Sequence, residues 1–197
     1  MVEFCSDLEK AASCIRAGGV AICPAEGVYG ISCLAGDDKA VRRVIAMKER
    51  DSSKGLITVA SSEGQLEGLW DREAVPQKAR SLMDRLWPGP FTFVVPCAPE
   101  LSGSALTGGR GTIAVRLTAF KTLQDLCTLC SSALVTTSAN LSGMEAVSDF
   151  SLISPIILKR ADVALDLPCQ GLGGASSVYD ATAGALLRRG PQWPEDL

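Results

Sequence analysis

Segments with helical apolar spacing alternate along the chain with short apolar runs typical of buried strands. Helical spacing occurs in "SDLEKAASCIRAGG", "DKAVRRVIAMK", "PQKARSLMDRLW" and "KTLQDLCTLC", and "SLISPIILKR" is a further expected helix. The apolar runs are "VAIC", "LITVA", "FTFVVP", "TIAVRL" and "ALVTT", followed by "DVALDL", "SSVYD" and "ALLRR". Several of these expected strands have no helix between them. The pattern therefore predicts an α/β fold whose sheet mixes parallel and antiparallel strands.

Local signals mark the ends of two of these helices. Ser6 and Glu9 have the spacing of a capping box, so we expect the first helix to begin at Ser6 and to stop at Gly18. Pro76 lies near the expected first turn of the third helix, and "WPGP" ends that helix sharply.

Three cations lie in the polar loop "MKERDSSKGLI", in a chain whose formal net charge is −3. They are Lys48, Arg50 and Lys54. The apolar stripe of the preceding helix runs through Val41 and Val44 and reaches Lys48 about one turn later. A cation that continues the core-facing stripe of a helix tends to point along the interior or into a cleft. We therefore expect Lys48 to avoid open solvent.

Composition and charge narrow the class of protein. The chain has 197 residues, of which 47% are hydrophobic and 21% charged, as in ordinary soluble globular proteins. No repeat or linker interrupts it, so we predict a single domain over residues 1–197. The negative net charge argues against a general nucleic-acid binder. No apolar run approaches a membrane span, and "MVEFCSDLEK" does not resemble an export signal, so we expect a cytoplasmic protein with no membrane partner.

The histidine and cysteine content limits the available chemistry. The chain has no histidine, which excludes Ser-His-Asp and Cys-His catalysis and histidine metal sites. Of the eight cysteines, Cys127 and Cys130 form a CxxC pair, yet they share a helical stripe with Leu123 and Leu126. We interpret the cysteines as reduced and this pair as packing residues, since a zinc site would need a second pair of ligands.

Three expected strands end in polar segments. "VAIC" runs into "PAEGVYG", Arg116 follows "TIAV", and "ALVTT" runs into "SANLSG", which brings Thr136, Ser138 and Asn140. Turn formation or solvent exposure accounts for each of these segments separately. Ligands of α/β sheets, however, gather at the carboxyl ends of strands, and these groups together with the loop cations suit a polyphosphate. Because P-loop and GxGxxG motifs are missing, the residues alone predict an anion or nucleotide site of neither type.

Taken in order, these segments resemble the YrdC/TsaC family of threonylcarbamoyl-AMP synthases, in its bacterial single-domain form. The resemblance runs from "GGVAICPAEGVYGISC" through "KERDSSKGLI", "LWPGPFTFVVP", "GTIAVRLT" and "TTSANLSG" to "SSVYDATAGALLRRG", which is most of the chain. The KxR motif of the family corresponds to Lys48 and Arg50, and its SxN motif corresponds to Ser138 and Asn140. The two motifs together, at this separation, indicate the family far more specifically than either motif does alone.

The resemblance implies a YrdC-like fold, a twisted open sheet with a wide basic cleft. It also implies a nucleotidyltransferase reaction, in which L-threonine, bicarbonate and ATP give L-threonylcarbamoyl-AMP and pyrophosphate. Mg²⁺ would be carried by ATP, with no protein side chain as its ligand. The product would pass to the machinery that transfers the threonylcarbamoyl group to tRNA beside the anticodon. Weak RNA binding in the cleft is compatible with this role.

The resemblance assigns roles to ten residues. Lys48 and Arg50 would be catalytic, because a threonine carbamate must approach the α-phosphate of ATP and pyrophosphate must leave with added charge. Arg116 would hold the threonine carboxylate as a bidentate clamp. The residues near ATP would be Arg50, Lys54, Thr112, Ser138, Asn140 and Arg188, and those near threonine would be Arg116, Thr136 and Ser176.

The chain departs from the family pattern at three places. Ala25 stands where the family usually has Thr, so a hydroxyl near the threonine pocket is lost. Asp51 follows Arg50 where Pro is common, and "AFK" follows the Arg116 strand where the family often has "DHP". These changes bear on the threonine contacts more than on the ATP site.

Two other functions remain as alternatives. The first is an RNA-binding or ribosome-maturation factor that uses the same cleft for phosphates, which the net negative charge and the scarcity of aromatic residues disfavour. The second is a carbamoyl-transfer module of a larger maturation enzyme, which the lack of zinc-finger or acylphosphatase-like segments disfavours. RNA binding would fall steeply with salt, whereas catalysis would depend on ATP and threonine.

Overall fold

The computed structural model describes residues 2–197, which contain a sheet of ten strands and five α-helices. The helices are α1 (Leu8–Arg16), α2 (Asp38–Met47), α3 (Gln77–Leu86), α4 (Lys121–Cys130) and α5 (Pro155–Arg160). The strands are β1 (Glu3–Cys5), β2 (Ala21–Pro24), β3 (Tyr29–Leu34), β4 (Ile57–Ala60), β5 (Phe91–Pro96), β6 (Thr112–Leu117), β7 (Leu134–Ser138), β8 (Val163–Leu165), β9 (Ser177–Asp180) and β10 (Ala185–Arg188).

The sheet is open and mixes strand directions. Its order is β1-β8-β2-β3-β7-β4-β6-β5-β9-β10. The pairs β1/β8, β2/β8, β4/β6 and β5/β9 are parallel, and the pairs β2/β3, β3/β7, β4/β7, β5/β6 and β9/β10 are antiparallel. The predicted α/β fold with a sheet of mixed direction is therefore confirmed.

Two hydrophobic clusters hold the helices against the sheet. One joins Ile15 of α1 and Leu123 of α4 to Leu134 of β7, all fully buried. The other joins Val44 of α2 to Phe93 of β5 and to the buried face of α3. Full burial of one such side chain contributes about 1.5–3 kcal/mol, so the buried faces fix the positions of these helices. Among residues 2–197, no helix has the length and apolar character needed to cross a bilayer.

Strand alternation places the predicted site residues on one face of the sheet. Side chains of a strand point alternately to its two faces. On β6, Thr112 and Arg116 therefore share a face, while Ile113 between them is buried in the core. On β7, Thr136 and Ser138 share a face in the same way, and Ser138 lies opposite Gly30 of β3.

Several predicted element boundaries change in the structure. The N-cap of α1 is Asp7, whose Oδ1 accepts a hydrogen bond from the Glu9 backbone N–H at 2.9 Å, so the capping box from Ser6 is wrong. Asp7 also places a carboxylate at the positive end of the helix dipole. Pro76 is the N-cap of α3 and so lies near its first turn, as predicted. The expected helix "SLISPIILKR" is α-helical only from Pro155 onward, where α5 begins, and its first two residues belong to a short 3₁₀ helix, Phe150–Leu152.

Two strands were not predicted. β1 has only three residues, too few for a visible alternation. β3 contains Gly30 and Ser32, which weaken the strand pattern in the sequence because glycine is depleted in strands. Both strands form through their neighbours in the sheet, β8 for β1 and the pair β2 and β7 for β3.

Candidate functional site

A cavity of about 370 Å³ lies over the face of the sheet that carries Thr112, Arg116, Thr136 and Ser138. The site was expected at the carboxyl ends of strands. Instead it extends along the whole face of β6, from Thr112 at its first residue to Arg116 near its last. The mixed strand directions explain this difference, because neighbouring strands here do not all end at the same edge.

The charge of the cavity lining is strongly positive. Its cationic residues are Arg50, Lys54, Arg110, Arg116 and Arg188. Within the described residues, Glu26 is the one carboxylate that lines it. Such an excess of cations, in a chain with a formal net charge of −3, suits an anionic ligand with several charged groups.

The loop after α2 presents Arg50 and Lys54 to the cavity. Its first turn, Ser52–Lys54, is a short 3₁₀ helix capped by Asp51, whose Oδ1 accepts a hydrogen bond from the Ser53 N–H at 2.9 Å. The Nη2 of Arg50 donates to the Gly55 carbonyl at 3.0 Å. Its Nε is buried and has no hydrogen-bond partner among the described residues. Asp51 therefore supplies a cap where the family commonly has proline.

Lys48 lies beside the cavity and does not line it. The residue is only 2% exposed, as predicted from the apolar stripe of α2. Its Nζ donates to the carbonyl oxygen of Ser138, and to the carbonyl oxygen and Oδ1 of Asn140 at 2.8 and 3.2 Å. Burial, and then the charge of Arg50, lower the pKa of Lys48 from 10.5 to about 8. The ammonium thus connects the KxR segment to the turn after β7.

Asn140 also helps to shape that turn and lies outside the cavity lining. Its Nδ2 donates to the carbonyl oxygens of Leu141 and Met144 at 3.0 and 2.5 Å. The backbone N–H of Ser142 donates to the Lys48 carbonyl at 2.9 Å, so the two segments are joined in both directions. Of the SxN motif, only the serine faces the cavity.

A buried ion pair between Arg116 and Glu26 lines one part of the cavity, which we call its buried end. The Nη2 of Arg116 lies 3.1 Å from Oε2 of Glu26, and both side chains are at most 6% exposed. The Thr118 hydroxyl donates to the other carboxylate oxygen at 2.7 Å. The Nε of Arg116 is buried and has no partner among the described residues. Part of this guanidinium is thus free to bind a carboxylate.

Ser176 and Arg188 close the opposite side of the cavity. The Nε of Arg188 donates to the Ser176 carbonyl at 2.8 Å, and the Ser176 hydroxyl lies 3.0 Å from that of Thr92. The segment before Ser176 follows the segment after β2, since Leu172 N–H donates to the Glu26 carbonyl at 2.9 Å. These contacts bring two distant parts of the chain to one site.

Ala25 and Thr136 are buried residues of the cavity lining; Ala25 precedes Glu26 in the chain, and Thr136 lies on β7, separated from β6 by β4. The Thr136 hydroxyl is 3.3 Å from that of Ser32 and is buried. Ala25 is also buried and brings only a methyl group. Polar recognition at the buried end therefore depends on Thr136 and the ion pair, with Ser176 across the cavity from them.

Eight of the ten predicted site residues line this cavity: Arg50, Lys54, Thr112, Arg116, Thr136, Ser138, Ser176 and Arg188. The other two, Lys48 and Asn140, contact one another behind Ser138. Sequence reasoning missed Glu26 and Arg110. Glu26 directly follows Ala25 in a polar strand end that was already considered, and Arg110 shares a glycine-rich segment with Thr112.

Cysteine and acidic side chains provide no metal centre in the part of the chain that the structure describes, where no group of three or more potential ligands comes together. All eight cysteines are free. Cys127 and Cys130 lie on the buried face of α4 with Leu123 and Leu126, as predicted. Burial raises the pKa of the Cys127 thiol to about 12, so this thiol is a poor nucleophile at neutral pH.

Comparison with known proteins identifies similar sequences over nearly the whole chain. The model of the Sua5/YciO/YrdC family, described as "Telomere recombination", matches residues 13–190. A threonylcarbamoyl-AMP synthase of Stenotrophomonas maltophilia is 35% identical over 92% of this chain and 97% of the relative. One of Sodalis glossinidius is 35% identical over 96% of this chain and 100% of the relative.

Solved structures resemble the fold closely. P. abyssi Sua5 complexed with L-threonine has a TM-score of 0.86 at 30% identity, covering 96% of this chain and 57% of that one. The chain thus spans a little over half the length of that Sua5 protein. E. coli YciO has a TM-score of 0.80 at 22% identity, covering 96% of both chains, and supports the fold alone.

Proposed function

The chain belongs to the Sua5/YciO/YrdC family, and on that premise we propose that it is a threonylcarbamoyl-AMP synthase that uses L-threonine, bicarbonate and ATP. The observation that carries the proposal is the cavity, in which five cationic side chains surround space for a polyphosphate and a partly free Arg116 lies at the buried end. The reaction class is nucleotidyl transfer with release of pyrophosphate.

The proposed reaction needs no histidine. The threonine amine forms a C–N bond to the bicarbonate carbon, water leaves, and an oxygen of the resulting carbamate attacks the α-phosphorus of ATP. A carbamate O–P bond forms, the bond from the α-phosphorus to the bridging oxygen of the β-phosphate breaks, and pyrophosphate leaves with that electron pair. The attacking oxygen already carries negative charge, so no base has to remove a proton from it. What the site must supply is positioning and screening of charge.

Arg50 and Lys54 supply that screening in the proposal. Both face the cavity from one capped loop, and the buried Nε of Arg50 lacks a partner among the described residues. Ser138, Thr112 and Arg188 line the same space and complete the proposed nucleotide site. Preorganised cations of this kind stabilise the transition state most where negative charge develops on the leaving group.

Lys48 has a positioning role in the proposal, although the resemblance makes it catalytic. Its ammonium is engaged by the oxygens of Ser138 and Asn140 and lies outside the cavity lining. We infer that it fixes the turn that presents Ser138 to the nucleotide. Its charge still contributes to the field at the phosphates, at longer range than that of Arg50.

Arg116 binds the threonine carboxylate in the proposal. Its Nη2 donates to Glu26, which Thr118 also contacts, while its Nε has no partner among the described residues and the residue lines the cavity. A guanidinium held in this way is preorganised for a bidentate pair with a carboxylate. Thr136 and Ser176 supply hydroxyls nearby for the polar groups of threonine.

Mg²⁺ fits this site as an ion carried by the triphosphate. Glu26, the carboxylate of the lining, is already engaged by Arg116 and Thr118, so the phosphate oxygens and water form the better ligand set. When bound, the ion would neutralise charge on the phosphates. The product would pass to the threonylcarbamoyl transfer machinery that modifies tRNA.

Product analysis tests the proposal. Purified protein is incubated with ATP, L-threonine, Mg²⁺ and ¹³C-bicarbonate, and the nucleotide fraction is examined by mass spectrometry. We expect a threonine adduct of AMP that contains one ¹³C atom. Formation of an adduct without the ¹³C label, or AMP and pyrophosphate without an adduct, would contradict the proposed reaction.

A further inference from the structure

Arg110 is a cation of the cavity that neither motif contains. It lines the same space as Arg50 and Lys54 and is exposed. Its guanidinium has no hydrogen bond or ion pair within residues 2–197. Most arginines at the surface of this chain, such as Arg42 and Arg72, pair with a neighbouring carboxylate. An unpaired guanidinium at the opening of a cationic cavity is available for an anionic ligand.

The segment that carries Arg110 packs directly on the phosphate-binding loop. Leu56 N–H donates to the Leu106 carbonyl at 2.9 Å. Gly108 has φ of +66°, and a Cβ added there would lie 2.4 Å from the Gly55 nitrogen. Only glycine allows the two backbones to approach so closely. The position of Arg110 is therefore tied to that of Arg50 and Lys54.

The difference in burial between Arg116 and Arg110 indicates which part of ATP would meet Arg110. Arg116 lies at the buried end, where the threonine carboxylate would bind, so the attacked α-phosphate would lie near that end. The exposed residues Lys54 and Arg110 lie at the opening. The β- and γ-phosphates, which extend away from the attacked phosphorus, would therefore reach these two side chains.

We propose that Arg110 binds the β- and γ-phosphates of ATP and then the pyrophosphate that they form. The inference rests on the proposed function, because it assumes that the cavity holds ATP with its α-phosphate toward Arg116. It adds a binding residue that belongs to neither the KxR nor the SxN motif and lies two positions before Thr112. A guanidinium fits two phosphate oxygens better than an ammonium does.

Calorimetry with three probes tests the role of Arg110. The full chain and its Arg110→Ala variant are titrated separately with Mg-ATP, Mg-pyrophosphate and AMP. We expect the Kd for ATP and for pyrophosphate to rise about tenfold in the variant, as for loss of one hydrogen bond between charged groups. The Kd for AMP should stay unchanged. Arg110→Lys should recover part of the affinity.

Arg72→Ala is the matched control, because it removes one exposed arginine that does not line the cavity. Its affinities should equal those of the unchanged protein. The inference would be overturned if Arg110→Ala bound ATP and pyrophosphate as tightly as the unchanged protein does. It would also be overturned if the variant lost as much affinity for AMP as for ATP. The unchanged protein reports on the proposed function separately: failure to bind ATP at all would reject both the proposed nucleotide site and the role of Arg110.

Discussion

Replacement of Lys48 by methionine separates a positioning role from direct phosphate contact. Methionine keeps an unbranched apolar stem and removes the ammonium. The carbonyl oxygens of Ser138 and Asn140 then lose their charged donor, as does Oδ1 of Asn140. Since Lys48 is 2% exposed, water does not readily replace that donor. The turn that presents Ser138 should therefore shift.

The magnitude follows from these contacts. The Ser138 carbonyl keeps a second donor, the Asn140 backbone N–H at 2.9 Å, so the acceptors left without a donor are the carbonyl oxygen and Oδ1 of Asn140. A buried acceptor without a donor costs about 1–3 kcal/mol, so these two cost about 2–6 kcal/mol. Removal of a poorly solvated ammonium, whose pKa is lowered to about 8, offsets part of that cost, and the turn can open to water. We expect a net loss of about 1–3 kcal/mol in the free energy of unfolding. Misplacement of Ser138 by about 1 Å should reduce kcat/KM for ATP about 10²-fold.

The assay combines denaturant unfolding with steady-state kinetics on Lys48→Met, Asn140→Ala and the double variant. If Lys48 acts through the turn, the double variant should lose hardly more activity than Lys48→Met alone, because both changes disturb the same element. Lys39→Met, at an exposed position of α2, is the matched control and should be neutral. If the fold-loss of activity in the double variant equals the product of the two single losses, the positioning role is refuted and direct contact of Lys48 with phosphate is favoured.

The lowered pKa of Lys48 gives this variant a further use. Between about pH 8 and the ordinary lysine pKa of 10.5, the folded protein binds fewer protons at this group than the unfolded chain does. The free energy of unfolding of the unchanged protein, relative to Lys48→Met, should therefore rise with pH over that interval and stay constant below it. If this difference in the free energy of unfolding stays flat or falls from about pH 8 to 10, the pKa of Lys48 is not lowered in the folded protein.

Two further predictions concern the division of roles within the site and the CxxC pair. Arg116→Lys should raise the KM for threonine about tenfold, equivalent to about 1.4 kcal/mol, with little change for ATP, whereas Arg50→Ala should weaken ATP use and lower kcat. The check is steady-state kinetics with ATP and threonine varied separately. If each variant changes the kinetics for both substrates in the same proportion, the two arginines form one undifferentiated cationic patch and the assignment is wrong. The double replacement Cys127→Ala with Cys130→Val should keep activity largely intact and cost about 1–2 kcal/mol of stability, because both thiols are buried on α4. Bound zinc in the unchanged protein, or lost activity in a stably folded variant, would contradict the packing role.

Local patterns sufficed for the elements whose burial is periodic. The stripe of α2 correctly predicted that Lys48 avoids solvent, and the stripe of α4 correctly predicted the buried cysteines. Local chemistry was misleading where two residues compete for one role, as Ser6 and Asp7 do at the start of α1. It gave no sign of β3, whose glycine and serine resemble a loop until β2 and β7 pair with it.

The candidate site shows the same limit over longer distances. Motif resemblance brought together most of the residues that line the cavity. It could not show that Lys48 reaches the turn of Ser138, 90 positions away, or that Glu26 pairs with Arg116 over the same separation. Such contacts depend on strand order, which periodicity does not determine. Arg110 was missed because it belongs to no motif. Only the packing of its segment on the loop of Arg50 and Lys54 brings it to the cavity.

Pyrophosphate release under omission of single substrates tests the central claim most directly. Purified protein is given Mg-ATP with threonine and bicarbonate together, and then with each one omitted. The proposed synthase should release pyrophosphate at an appreciable rate only when both are present, since the attacking carbamate needs both. Pyrophosphate release at the same rate with and without threonine, or no release with all three substrates present, would contradict the proposed function.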